Sequence, residues 1–222
     1  GLKGFEYVND RMKGLLRKYP QRLRSLWGKP VMLVNPAPEF AGAGEMQRCW
    51  HGFVDENGGW LNLNRSFGAE NPPPEVSALE YMILSLKPRL IIDMQEDDVP
   101  GFWVAAPHQQ DNSTVVEIGQ VILEAVRVEG CSICTLEQMA EQKHRDLELF
   151  GFLLPERQQN GFFWLNQDLL KEGPNLLSYA AGYGLSIGIE SPLGYSLEKR
   201  VNATVNGVQD AIRFWSQLDH SM

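Results

Sequence analysis

Apolar positions along the chain fall into short runs and helical stripes that alternate. Leu90-Ile91-Ile92-Asp93-Met94 is the clearest run and predicts a buried strand. Val31-Met32-Leu33-Val34, ended by Asn35-Pro36, predicts another, as do Gly101 to Ala106 and Leu185 to Ile189. Phe162-Phe163-Trp164-Leu165 fits a strand or a lid. Between these runs the spacing turns helical. Residues 5–18 carry Tyr7, Val8, Met12, Leu15 and Leu16, with Pro20 beyond them. Pro72-Pro73-Pro74 opens a helix to about Leu86, and Pro88 stops it. Residues 113–128 place Val116, Ile122, Leu123 and Val126 on or near one face; residues 135–150 carry a weaker helical pattern, and Leu176 to Ala181 form a short helix. Ser196 is a candidate N-cap for the last helix. Its Leu197, Val201, Val205, Val208, Ile212 and Trp215 step by three or four and make a continuous apolar stripe. Residues 36–60 are rich in Gly, Pro and polar groups and read as a long loop, a kind of segment that often carries function.

Apolar strands alternating with helices predict an α/β fold around a largely buried sheet. A length of 222 residues suits one domain with a substantial core. The apolar content of 43% and the aromatic content of 10% are those of a globular protein. A net charge of -8 argues against sequence-independent nucleic-acid binding, so no nucleic-acid partner is expected. The basic residues Arg11, Lys13, Arg17, Lys18, Arg22 and Arg24 crowd the first helix and its exit, and read as a solvated face. No apolar run approaches the ~20 residues of a membrane span, so no membrane partner is expected. The start of the chain lacks the apolar core of a signal peptide. Three cysteines, an odd number, suggest no disulfide framework and a reducing, cytoplasmic setting. Cys131-Ser132-Ile133-Cys134 is a C-x-x-C without a second pair beside it, and no redox or zinc role is assigned to it.

Candidate chemistry is carried by five separated segments. Gly1-Leu2-Lys3-Gly4-Phe5-Glu6 precedes the first helix, and Val34-Asn35-Pro36 ends a strand. Asn64-Arg65-Ser66-Phe67 follows, two residues after Asn62. Ile92-Asp93-Met94-Gln95 closes the apolar run, and Glu190-Ser191-Pro192 closes a late one. In this order they resemble the zinc carboxypeptidases and their succinylglutamate desuccinylase/aspartoacylase relatives. That family opens its site with Gly-x-His-Gly-x-Glu, anchors substrate with an Asn-Arg pair usually preceded by Asp, ends a strand in Asp-x-His and carries a catalytic Glu on a late strand. The resemblance spans nearly the whole chain. It implies an α/β fold with a mixed, mostly buried central sheet flanked by helices, in one domain over residues 1–222. The family places strands ahead of its first motif, so either those strands are lacking here or Gly1–Glu6 does not align with that motif.

The resemblance also implies roles. In the enzymes, two imidazoles and a carboxylate hold zinc with a position open for water. Zinc lowers that water's pKa from about 16 towards about 7. By this resemblance Glu6 falls at a metal-ligand position, Asn64 and Arg65 at substrate-carboxylate positions and Glu190 at the general-base position. Arg48 lies in the loop where the family often carries a further substrate arginine.

Lys3 and Gln95 occupy the two histidine positions. A charged lysine has no lone pair, and a glutamine carbonyl is a poor zinc ligand. The expectation is therefore a degenerate metal site and no cofactor. Lys3 would place its charge where the metal stood, beside Glu6 and Glu190, with Gln95 hydrogen-bonded to them. The chain would be a pseudoenzyme, or a binder of a small carboxylate or a peptide C-terminus. The alternative is an active zinc-dependent hydrolase, a metallocarboxypeptidase or N-acyl amino acid deacylase, with His51 or His108 as a displaced ligand. His144 and His220 are expected to be exposed.

Overall fold

A computed structural model describes residues 5–34, 49–97, 99–110, 113–143, 153–166 and 173–219. Helix α1 (Phe5–Lys18) lies on a small antiparallel sheet of β1 (Lys29–Val34), β2 (Cys49–Val54) and β3 (Trp60–Asn62), in the order β1-β2-β3. Met12 and Leu16 of α1 bury against Val54 and Trp60. The β2–β3 turn is tied by Asp55, whose Oδ1 accepts the amides of Asn57 at 2.7 Å and Gly59 at 2.8 Å.

This sheet corrects two expectations. The segment 36–60 is not wholly loop: its second half is a hairpin, while residues 35–48 lie outside the described residues. Part of the polar and Gly-rich composition belongs to the β2–β3 turn, with Asn57, Gly58 and Gly59. Strand β1 is not a buried central strand either. Among the described residues it pairs only with β2, and Met32 is exposed.

Helix α2 (Pro74–Leu86) starts at the predicted proline and ends at Lys87, which takes a left-handed conformation with φ 47°. After it come β4 (Leu90–Asp97), β5 (Trp103–Pro107), α3 (Ser113–Val128) and α4 (Leu136–Lys143). Then follow β6 (Leu153–Gln159), β7 (Phe162–Leu165), the short α5 (Leu176–Ala180), β8 (Leu185–Pro192) and the long α6 (Leu197–Asp219). Phe162–Leu165 is thus a strand and not a lid, and β6 is a strand that periodicity does not reveal. Ser196 caps α6 as expected, its Oγ accepting Lys199 N–H at 3.3 Å.

The larger sheet has five strands in the order β4-β8-β5-β7-β6. It is mixed: β4 runs parallel to β8 and β5 to β7, whereas β5 is antiparallel to β8 and β6 to β7. This is the α/β architecture with a mixed central sheet flanked by helices. Strand alternation divides its side chains between two faces. On one face Phe102, Val104, Phe162, Trp164, Ile187 and Ile189 pack against α3 and α6. On the other, Trp103, Ala105, Phe163 and Leu165 pack with Met139 of α4 and Leu177 of α5.

The stripe read along α6 is only partly its packing face. Val208 and Trp215 touch the core, but Val201, Val205 and Ile212 are exposed. The helix instead meets α3 through the small residues Ala203, Gly207 and Ala211. A Cβ on Gly207 would stand 3.1 Å from Ile122 Cγ2, so small size brings the helices together there.

Candidate functional site at the strand ends

The parallel pairing of β4 with β8 sets Asp93 beside Gly188 and Gln95 beside Glu190, in register. In-register neighbours of parallel strands share a face. The face follows from Gly188, where an added Cβ would lie 2.7 Å from Leu177 Cδ1 of α5. Asp93, Gln95, Asp97 and Glu190 therefore look to the α5 side, near the carboxyl ends of two parallel strands. In open α/β sheets that is where ligands commonly bind. Trp103 of β5 stands in register with Glu190 on this face, and its indole Nε1–H donates to Asp97 Oδ2 at 3.2 Å.

Two of these acids are changed by their surroundings. Gln95 Nε2 donates to Asp93 Oδ2 at 2.5 Å. Burial raises the Asp93 pKa above its ordinary value, and the Gln95 bond offsets part of the rise. Asp97 is buried under Trp103. On the opposite face Glu96 forms an ion pair with Arg200 of α6, whose side chain is almost fully buried. Ser191 Oγ donates to the carbonyl of Gln95 at 3.2 Å. The end of β4 is thus held from two directions while Gln95 and Glu190 face α5.

Asn64 and Arg65 sit in a 3-10 turn, Leu63–Arg65, directly after β3. The amide of Asn64 is fixed by Asn62 Oδ1 at 3.0 Å. Asn64 Oδ1 accepts Leu176 N–H, at the start of α5, at 3.0 Å. Arg65 Nη1 donates to the Asn64 carbonyl at 2.6 Å. Gly173, with φ 127°, runs so close that a Cβ there would stand 2.4 Å from the Arg65 carbonyl oxygen. Further along, the Tyr179 ring lies 5.7 Å from Phe67, and Glu80 Oε1 accepts Gly68 N–H at 2.6 Å. Burial, a hydrogen bond with Tyr183 and the charge of Glu80 raise the Tyr179 pKa, which keeps the phenol neutral. The Asn-Arg turn is therefore fastened to α5, the helix that lies over Gly188 and next to Glu190.

The remaining sequence candidates divide. Glu6 stands in the first turn of α1. Lys3, Arg48, His144 and His220 lie outside the described residues. His51 is exposed on β2, and His108 Nδ1 bonds the Leu165 carbonyl at 3.0 Å, a structural role. Among the described residues no three His, Cys, Asp or Glu side chains form a group able to hold a metal ion. Gln95 gives its amide to Asp93 and offers only a carbonyl, so the described donor set at this position does not fit zinc. Cys131 and Cys134 are not joined in a disulfide, and they enter opposite cores of the sheet.

Sequence reading gives no role to Asp97 or Trp103. The signal is nonetheless present: Asp93, Gln95 and Asp97 place polar groups at every second position of the strand, one facing set.

No family model and no curated protein matches the chain. Solved structures do. A candidate metallopeptidase from Shewanella amazonensis is similar with TM-score 0.47 and 17% identity, over 73% of this chain and 57% of that one. A metallo-carboxypeptidase from Burkholderia cenocepacia is similar with TM-score 0.46 and 18% identity, over 73% of this chain and 40% of that one. The N-acetylmuramyl-L-alanine amidase of Mycobacterium smegmatis has TM-score 0.38 and 18% identity, over 66% of this chain and 64% of that one. The chain spans about half the length of the first two. Among the described residues no helix is long and apolar enough to cross a membrane.

Proposed function

We propose that this chain is a carboxypeptidase-like domain that binds a small carboxylate or a peptide C-terminus at the ends of β4 and β8, without the family's zinc. The observation that supports this reading is the shared face of Gln95 and Glu190 on the α5 side of the sheet, with Asn64 bonded to the first amide of α5. Arg65 supplies a guanidinium and Asn64 an amide for the ligand carboxylate. Glu190 holds the general-base position, with Gln95 where the enzymes carry a ligand histidine. The role is that of a pseudoenzyme or binding module. A cytoplasmic setting goes with it, because Cys131 and Cys134 are free thiols.

The test is calorimetric titration with a short peptide, before and after incubation with zinc, together with metal analysis. Binding without metal is expected, with a loss of tenfold or more in Arg65→Ala. One tightly held zinc per chain, accompanied by hydrolysis of the peptide, would instead establish the zinc hydrolase. Equal affinity in Arg65→Ala would remove the carboxylate anchor.

A further inference from the structure

Strand β4 is an open edge of the five-stranded sheet. It pairs with β8 on one side, and among the described residues no strand lies on its other side. Such an edge leaves a row of backbone N–H and C=O groups for another strand. The face of β4 under α6 is apolar along most of its length. Leu90 and Ile92 pack partly into the core, and Met94, next on that face, is 61% exposed.

Helix α6 extends this surface. Two contacts lay it along β4 in the opposite direction. Arg200 pairs with Glu96 near the end of the strand, and the Trp215 ring lies 5.5 Å from the Arg89 guanidinium just before its start. Both stretches are about 23 Å long, from the rise per residue of a strand and of a helix. The helix meets α3, which lies over β5 and β7, through Ala203, Gly207 and Ala211. At about 100° per residue, Val201, Val205 and Ile212 point away from α3, out past β4. All three are exposed, and with Val208 they form a stripe that carries no charge.

We propose that β4 and α6 form a two-fold interface with a second copy of this chain, the two β4 strands pairing antiparallel into one continuous sheet. The edge is complementary to itself. With the axis at Ile92, that residue meets its own copy and Leu90 meets Met94, all on the α6 face. An axis at Asp93 would set a carboxylate against its copy, which weakens pairing. Antiparallel pairing also brings Lys87 and Arg89, just before one strand, beside Glu96 and Asp97 at the end of the other. The helices agree with the strands. Between its two contacts with β4, α6 reaches the level of Ile92 at Val208 and Gln209, so the same axis sets Val205 of one copy against Ile212 of the other. Each α6 touches β8 and is tied to β4, so it lies over that strand pair. With strands about 4.8 Å apart, the two α6 axes would stand about 10 Å apart, a usual distance for packed helices.

Sedimentation equilibrium of this chain at rising concentration is the test, and a monomer–dimer equilibrium is expected. Val205→Glu and Ile212→Lys each bury a lone charge in the interface and should weaken the dimer about tenfold or more. The double variant should restore it, because the two new charges meet across the axis. The two positions lie about two turns apart on one helix, so the restoration cannot arise within one copy. Both side chains are exposed in the single copy, so the fold does not depend on them. A monomer at every concentration would overturn the proposal and leave the edge to an extended segment of another chain. A dimer that neither single variant weakens would also overturn it. So would a dimer lost in both single variants and not regained in the double, since the copies would then meet in another register.

Discussion

The two faces of the five-stranded sheet are built to different rules. The face under α3 and α6 is apolar and closed: Phe102, Val104, Phe162 and Ile187 have no exposed surface. Its main charged contact is the Arg200–Glu96 pair at the edge. The face under α4 and α5 begins in the same way, with Phe163 and Leu165, and then changes character towards β4. There it carries Asp93, Gln95, Asp97 and Glu190 within two neighbouring strands. Burying polar groups costs stability unless each finds a partner. One face of the sheet thus contributes most of the cohesion, and the other carries the polar groups from which a site can be made.

Five substitutions would break or sharpen that contrast. The largest effect is expected from Phe162→Ala, which empties a site between the sheet and α3, where the ring meets Trp164 at 5.1 Å. A loss of about 3–5 kcal/mol is expected in denaturant unfolding. Glu96→Gln comes next. It strands the buried Arg200 charge and should cost about 3 kcal/mol, whereas Arg200→Met should cost much less, because Glu96 is partly exposed and can hydrate. Equal costs for the two would show that the pair acts through packing alone.

On the other face, Asn64→Ala removes the acceptor of Leu176 N–H and should cost about 1 kcal/mol, read in the same unfolding assay. A loss as large as that of Phe162→Ala would erase the contrast. The smallest effect belongs to Asp93→Asn. The folded state raises the Asp93 pKa, so the native protein holds this proton more tightly than the unfolded chain. The carboxyl's contribution is therefore fully present below the ordinary aspartate pKa. It is lost as pH rises through the folded value. Asp93→Asn should flatten that decline in a pH series of unfolding curves, while the introduced amide oxygen still accepts from Gln95; an unchanged slope would remove the assignment.

Much of this is legible in the chain. Strand β8 is mostly buried within the sheet, and its Leu185–Ile189 run is easy to find. Strand β4 is found by its Leu90-Ile91-Ile92 run but is not the buried strand expected, since it lies at the sheet edge, is largely half-buried and exposes Met94. Asn64, Arg65, Gln95 and Glu190 are picked out by the order of the motifs that they resemble, not by periodicity. The small sheet is hidden because β3 has only three residues and a polar turn with Gly58 and Gly59 separates it from β2. The contact face of α6 is obscured for a different reason. Hydrophobicity favours Val and Ile, whereas close helix approach favours Ala and Gly, so the more apolar stripe is not the more buried one. The register that sets Gln95 beside Glu190 cannot be read at all, since it depends on pairing across 94 intervening residues.

The C-x-x-C segment has a consequence for how the protein would be handled. Cys131 enters one core and Cys134 the other, on either side of the bridge between Phe102 and Ile133. Neither thiol reaches solvent freely, and the sheet edge stands between them. With Cys49 replaced by serine, a thiol-labelling reagent would have only these two targets. Its rate would then follow opening of the fold, with each cysteine timing the loss of its own layer.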